Sequence, residues 1–192
     1  PGSSSMATHI ALHEAGATFE TELISFARSD QRSPAYLAMN PVGQVPTLLV
    51  DGEPLTEVAA TLFYIARQFE SARLLPDSVE AQAKVISWMS FIASTVQPAR
   101  RRGWEAVKAV YSLSERRLNH RTWAVGEYSI ADIHLFRLYW RIRNAFTPDP
   151  AEFPSLEAHY HRMMARPAVK KTCDIEASIG YELPGWRDPS AS

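Results

Sequence analysis

Apolar residues recur at helical spacing along most of this chain and at strand spacing only in its first third. Met6 to Glu14 fits a helix, with Ser3, Ser4 and Ser5 available as N-cap and Gly16 as its stop. Phe19 to Ile24 mixes β-branched, aromatic and aliphatic residues and predicts a strand. A helical turn is expected around Ala35 to Met39. Thr47 to Val50, the Asp51-Gly52 pair and Pro54 to Thr56 predict a hairpin. Leu62, Ile65, Ala66 and Phe69 then fall on one face of a helix running from Glu57 to about Glu70.

Beyond this point the pattern is helical throughout. Trp88, Phe91, Ile92 and Thr95 share a face that should stop or bend at Pro98. Ala106 to Leu118 reads as the next helix. Ser129-x-x-Asp132 is a capping box, with Tyr128 and Ile133 spaced for the accompanying hydrophobic staple. It opens a strongly apolar helix over Ile133 to Ile142, and Leu156 to Ala165 and Ala168 to about Glu176 complete a bundle. The order predicts a small α/β domain over residues 1–71, a linker over 72–78 around Pro76, and an all-helical domain over 79–192. A unit of about seventy residues is marginal alone, so the first domain should need the second.

Composition narrows the function classes. The chain has 192 residues, 46 % hydrophobic, with a formal charge of −1, which gives no electrostatic case for nucleic acid. No run approaches the ~18 apolar residues of a membrane span, and no segment reads as a secretory leader. The single cysteine, Cys173, leaves no internal disulfide and fits a reducing, cytoplasmic setting. His9 and His13 lie four apart but lack a third ligand, so they are expected to form an exposed helix face, and no metal is expected.

The chemistry-bearing stretch is Asn40-Pro41-Val42-Gly43-Gln44-Val45-Pro46, with Thr56-Glu57 ten residues on. A proline before a strand suits a first strand residue or a tight turn, and X-Pro is the bond that adopts cis at modest cost. A cis Val45-Pro46 would leave the Val45 main chain free to pair with an extended peptide. Glu57 sets a carboxylate beside the unpaired N–H groups of a helix N-terminus: the first binds an ammonium, the second a carboxylate. Together they suit a short zwitterionic peptide.

These residues resemble the glutathione-binding half of the glutathione transferases. Pro1-Gly2-Ser3-Ser4-Ser5 leading into His9-Ile10-Ala11-Leu12 and Glu14-Ala15-Gly16 is similar to the loop and first helix of the bacterial beta class. Tyr128-Ser129-Ile130-Ala131-Asp132 and Arg166-Pro167-Ala168-Val169 are similar to its helical domain. The resemblance implies a thioredoxin-like N-terminal domain joined to an all-α C-terminal domain, glutathione as co-substrate, and a homodimer. It also implies a short strand ahead of Pro1, so a few residues are expected to be missing from the sequence as given.

The resemblance assigns site residues in turn. Ser4 stands where the beta class has cysteine, and Ser3 where delta-like serine classes place their hydroxyl. A free thiol titrates near 8.5, so only about 3 % is thiolate at pH 7. A hydroxyl donor at a helix N-terminus would lower that value, and either serine could serve. Val45 and Pro46 would hold the cysteinyl unit, Glu57 the γ-glutamyl ammonium, and the Val58 N–H its carboxylate. Valine there replaces the usual Ser or Gly. Ser94 matches a position bordering the tripeptide, and Gln97-Pro98 replaces His-Lys. Arg100-Arg101-Arg102 would replace the lost charge or orient an anionic second substrate, or else form a solvated face.

The implied reaction is conjugation of the thiolate to an electrophilic, mostly apolar small molecule, as in detoxification. Trp104, Tyr111 and Phe91 are candidate contacts for that substrate, and His159 and His161 receive no role. The alternative is a glutathione-binding or regulatory protein without turnover, since Val58, Gln97 and Pro98 each weaken an expected contact.

Overall fold

A helical layer built on one buried helix carries a small two-stranded sheet at its edge. The structure, a computed structural model, describes residues 1–182. The last ten residues of the expected helical domain, 183–192, lie outside the described residues. In chain order the elements are α1 (Ser5–Glu14), α2 (Pro34–Met39), β1 (Thr47–Val50), β2 (Glu53–Thr56) and α3 (Val58–Gln68). Then come α4 (Val79–Phe91), the single turn α5 (Gln97–Ala99), α6 (Trp104–Leu118), α7 (Ile130–Phe146), α8 (Pro154–Met164) and α9 (Pro167–Ile179). This is the expected combination of a small N-terminal unit with a helical C-terminal one.

The hairpin forms as its sequence requires. Asp51 and Gly52 both take positive φ, and β1 pairs antiparallel with β2 in the register Thr47 with Thr56 through Val50 with Glu53. The strand expected over Phe19 to Ile24 does not form. That stretch has no strand alongside it among the described residues, and β-forming side chains without a ladder leave the backbone irregular.

Pro98 neither stops nor sharply ends its helix. After α4 the backbone widens into a π turn over Ile92–Val96 and resumes through α5 into a 3₁₀ turn at Arg100–Arg102. A proline clashes with the carbonyl four residues before it, here Ser94, and lacks an N–H for it. The extra residue of the π turn shifts the ladder out of that clash.

Asp132 organises the centre. Its carboxylate accepts from the N–H of Ser129 at 3.0 Å and of Ala124 at 2.8 Å, and contacts His159 Nε2 at 3.0 Å. The capping box read from the sequence is thus complete, and His159 is its buried partner. Ala124 in turn accepts from the Trp88 indole at 2.9 Å, tying α4 to this node. From it runs α7, whose residues from Ile130 to Ile142 are all buried. Against α7 packs α1, which also meets α3 and α9. Met6, Ile10, Leu62 and Ile65 are fully buried there, each worth about 1.5–3 kcal/mol. Within this apolar seam Thr8 and Thr61 exchange a hydroxyl hydrogen bond at 2.9 Å.

The motif residues Tyr128 and Arg166 form a clamp at the other end of α1. Arg166 grips Glu14 with two nitrogens, at 2.5 and 2.8 Å, and its guanidinium lies 3.6 Å over the Tyr128 ring. Tyr128 donates to the same Glu14 at 3.0 Å. Such a two-pronged, charge-assisted pair fixes orientation as well as adding energy.

His9 and His13 are not an exposed face. Both are half-buried, with rings 4.8 Å apart, and His9 Nδ1 lies 3.2 Å from Glu176 of α9. His13 Nε2 is buried without a partner, and burial, then the neighbouring His9, lowers its pKa from 6.5 to about 4. The α9 helix covers this side, which the α1 sequence by itself does not reveal.

Two outcomes follow from this packing. Replacing Asp132 by Ala orphans two buried N–H groups and His159, so urea denaturation should show a loss of about 3 kcal/mol or more. For His13 the unfolded chain binds the proton more tightly than the folded one. The stability it contributes is therefore present above about pH 6.5 and lost as pH falls toward about 4. His13→Gln should flatten the stability profile over that interval, read by urea midpoints at stepped pH.

Candidate active site

The loop before α1 places three serines in different settings. Gly2 takes φ +64, and its N–H donates to the Glu176 carboxylate of α9. Ser3 is buried and its hydroxyl exchanges a hydrogen bond with that of Ser5 at 2.7 Å. Ser4 occupies the N-cap position of α1 in helical geometry, with no side-chain cap bond. Its hydroxyl is thus left free at the positive end of the helix.

The motif stretch forms a braced turn. Tyr36 and Asn40 both donate to the Gln44 carbonyl, each at 2.7 Å, and both also reach the Thr47 hydroxyl. Asn40 Oδ1 accepts from the Val42 N–H. Gly43 is required: with φ +64, a Cβ there would lie 2.8 Å from the Gln31 carbonyl oxygen. The Val45-Pro46 bond is cis, and Pro46 is buried. Val45 has no main-chain hydrogen bond recorded among the described residues.

Glu57 follows at the N-cap of α3 with φ +68 and ψ 127, an exposed residue in a region that non-glycine residues avoid. Its side chain makes no cap bond. The first N–H of α3 to reach back is that of Thr61, to the Glu57 carbonyl at 3.0 Å. The N–H groups of Val58, Ala59 and Ala60 are the orphan donors of the helix start. Backbone strain of this kind costs about 1–3 kcal/mol and marks sites where a side chain is held for use.

On the helical side, Ser94 and Gln97 part company. The Ser94 hydroxyl turns back to the Ser90 carbonyl at 2.8 Å on the exposed side of the π turn. Gln97 lines a cleft with Ser4 and accepts at Oε1 from Arg137 at 2.9 Å. The same cleft, about 40 Å³ in volume, is walled by Arg100, Tyr111, Arg137 and Arg141. Trp104 stacks on Phe146 instead, and Phe91 lies edge-on to Trp88. Of the three aromatic candidates, Tyr111 alone lines the cleft.

Arg137 and Arg141 escape a sequence reading that sees α7 as apolar core. They lie one helical turn apart, 2 % and 7 % exposed. Burial, then the adjacent Arg141, lowers the Arg137 pKa to about 9, and burial, then Arg100, lowers that of Arg141 to about 10. Both stay cationic at neutral pH. The available signal was two arginines at i and i+4 inside a run otherwise rich in aliphatic and aromatic residues. Cys173 is no rival nucleophile, since burial pushes its thiol up to about 12. Among the described residues no group of three or more His, Cys, Asp or Glu could hold a metal ion.

This arrangement matches known proteins along nearly its whole length. Residues 1–67 match the glutathione S-transferase N-terminal domain, and residues 59–167 its C-terminal domain. The chain belongs to the glutathione S-transferase family. It is accordingly an enzyme of the transferase class. Glutathione S-transferase GstA of Escherichia coli O157:H7 is 30 % identical over 92 % of this chain and 96 % of its own. Glutathione S-transferase GST-4.5 of Xanthomonas campestris pv. campestris is 29 % identical over 95 % and 96 %. A glutathione transferase homologue from Sulfitobacter, solved with bound glutathione, superposes with a TM-score of 0.84 at 29 % identity, covering 91 % of this chain and 94 % of that one.

The strained N-cap of α3 yields one expectation independent of any ligand. Glu57→Gly should raise stability by about 1 kcal/mol in urea denaturation, because glycine carries no penalty at positive φ. A loss of stability would show that the Glu57 side chain supports the fold itself.

Proposed function

We propose that this transferase conjugates the thiolate of glutathione to an electrophilic, mostly apolar small molecule. The observation that carries the reading is Ser4, whose hydroxyl is unspent on helix capping and which lines the cleft at the start of α1. Ser3, paired with Ser5, is the lesser candidate. The Val45 main chain takes the cysteinyl unit beside Pro46. Glu57 takes the γ-glutamyl ammonium, and the Val58 N–H its carboxylate. Gln97 keeps its amide nitrogen for the tripeptide while its oxygen is held by Arg137. Ser94 would approach only from the rim.

The chemistry asks for modest energies. Lowering the thiol pKa by two units requires about 2.7 kcal/mol of preference for the anion. A charge-assisted hydrogen bond gives about 1.5–3 kcal/mol, and a helix N-terminus up to about 1 more. We also propose a domain division at 1–71 and 79–192 with a linker at 72–78, supported by the break in regular structure after Glu70–Ala72. A homodimer and a cytoplasmic setting accompany the reading. The exposed Phe63, Val79 and Ile86 on α3 and α4 support the first. No described helix is long and apolar enough to cross a membrane.

Titrating the thiol of bound glutathione by ultraviolet thiolate absorbance tests the serine. Ser4→Ala should raise its pKa by at least about one unit, and Ser3→Ala by much less. No change in either variant would remove the hydroxyl mechanism. The same preparations loaded on immobilised glutathione test the cradle, where Glu57→Gly should reduce retention at least about tenfold.

A further inference from the structure

The cleft beside Ser4 holds an excess of positive charge that nothing among the described residues neutralises. Arg100, Arg137 and Arg141 line it together, and none of them makes an ion pair with a carboxylate among the described residues. A buried cation without a counter-charge costs several kcal/mol even after relaxation. Two such groups one helical turn apart repel each other as well. Folding does not call for this arrangement.

The neutral partners around them are also unsatisfied. The Tyr111 hydroxyl is buried, lines the cleft and has no hydrogen-bond partner, in a residue only 2 % exposed. Arg137 spends one nitrogen on Gln97, but its Nε has no partner. Buried donors left open in this way mark a place that a ligand or ordered solvent completes. Every open group here can donate, so the complement is an acceptor carrying negative charge.

Size suits such an acceptor. A volume of about 40 Å³ holds about three water molecules. That is room for at least a carboxylate, sulfonate or phosphate head. Val96, Leu138 and Ile142 supply an apolar part of the wall. Ser4 also lines the cleft, so an anion seated there lies beside the hydroxyl assigned to the thiol.

We propose that this cleft is the specificity pocket for the second substrate, which is an electrophile bearing an anionic head group on an apolar body. The proposal rests on the glutathione transferase reading and names the substrate class of that same site. Guanidinium pairs favour planar two-oxygen acceptors, so a carboxylate is the first choice. In the reaction the thiol proton goes to solvent, sulfur attacks the carbon bearing the leaving group, the C–S bond forms, and chloride departs with the C–Cl electron pair. No redox partner is required.

The test compares two electrophiles, 4-chloro-3,5-dinitrobenzoate and its methyl ester, whose unequal ring activation is removed by normalisation. Each kcat/KM is divided by its uncatalysed rate with glutathione, and the carboxylate-to-ester ratio is the readout. This ratio cancels any general loss of folding or of glutathione affinity. It should be about tenfold or more, as charged hydrogen bonds imply, and should shrink with added salt. Arg141→Gln and the exposed Arg100→Gln should each lower it at least about threefold, while Arg141→Lys keeps most of it. A ratio near one, or a ratio untouched by both Gln variants, overturns the proposal. So does a rise confined to the KM for glutathione, which would assign the arginines to the tripeptide. If neither electrophile is turned over, the transferase reading fails instead. Calorimetric binding of 3,5-dinitrobenzoate against its methyl ester then reads the pocket directly: anion-selective binding lost in Arg141→Gln sustains it, and no selectivity sinks it.

Discussion

A single buried carboxylate sets the frame in which everything else sits. Asp132 is wholly enclosed and joins the start of α7 to the segment at Ala124 and to His159 on α8. A carboxylate in such surroundings is stable only when its oxygens are saturated with donors, and here each one is used. Because its donors come from three separate stretches, the chain reaches this state only in one arrangement of those stretches. The α7 rod then has a fixed origin and direction. Its middle presents Arg137 and Arg141 to the cleft that Ser4 lines, so the geometry at Ser4 is inherited from a capping box farther back along the same helix.

The same logic explains which parts of the fold were legible. The hairpin, the capping box and the start of α3 are local: Asp51-Gly52 and Ser129-x-x-Asp132 specify their geometry within a few residues. Phe19 to Ile24 was misjudged because strand formation is a property of pairs, and composition alone cannot supply the neighbour. From its missing N–H, Pro98 is expected to stop or bend its helix. The chain instead absorbs the proline with one extra residue per turn, a response available because Ile92 and Val96 still find the core. His9 and His13 were judged from α1 alone, while their surroundings come from Glu176 more than 160 residues later.

For the proposed site, the turn before β1 was readable because its parts are unusual in themselves: a proline before a strand, a glycine that cannot carry a Cβ, an acid at a helix start. The sequence separated Ser4 and Ser3 only through the resemblance, which favours Ser4. They differ only in partners, since Ser3 and Ser5 satisfy each other and Ser4 is left over. The arginines were hidden for the opposite reason. A charged residue in an amphipathic pattern is assumed to face water, and only the enclosure of α7 from Ile130 to Ile142 shows that Arg137 is buried.

The contact between the Gly2 N–H and Glu176 spans 174 positions of sequence. The loop ahead of α1 is therefore anchored by α9. During synthesis this contact can form only once α9 has been released and docked. A chain ending before α9 would keep most of its core but leave the serine loop without that tether, a division imposed by topology alone.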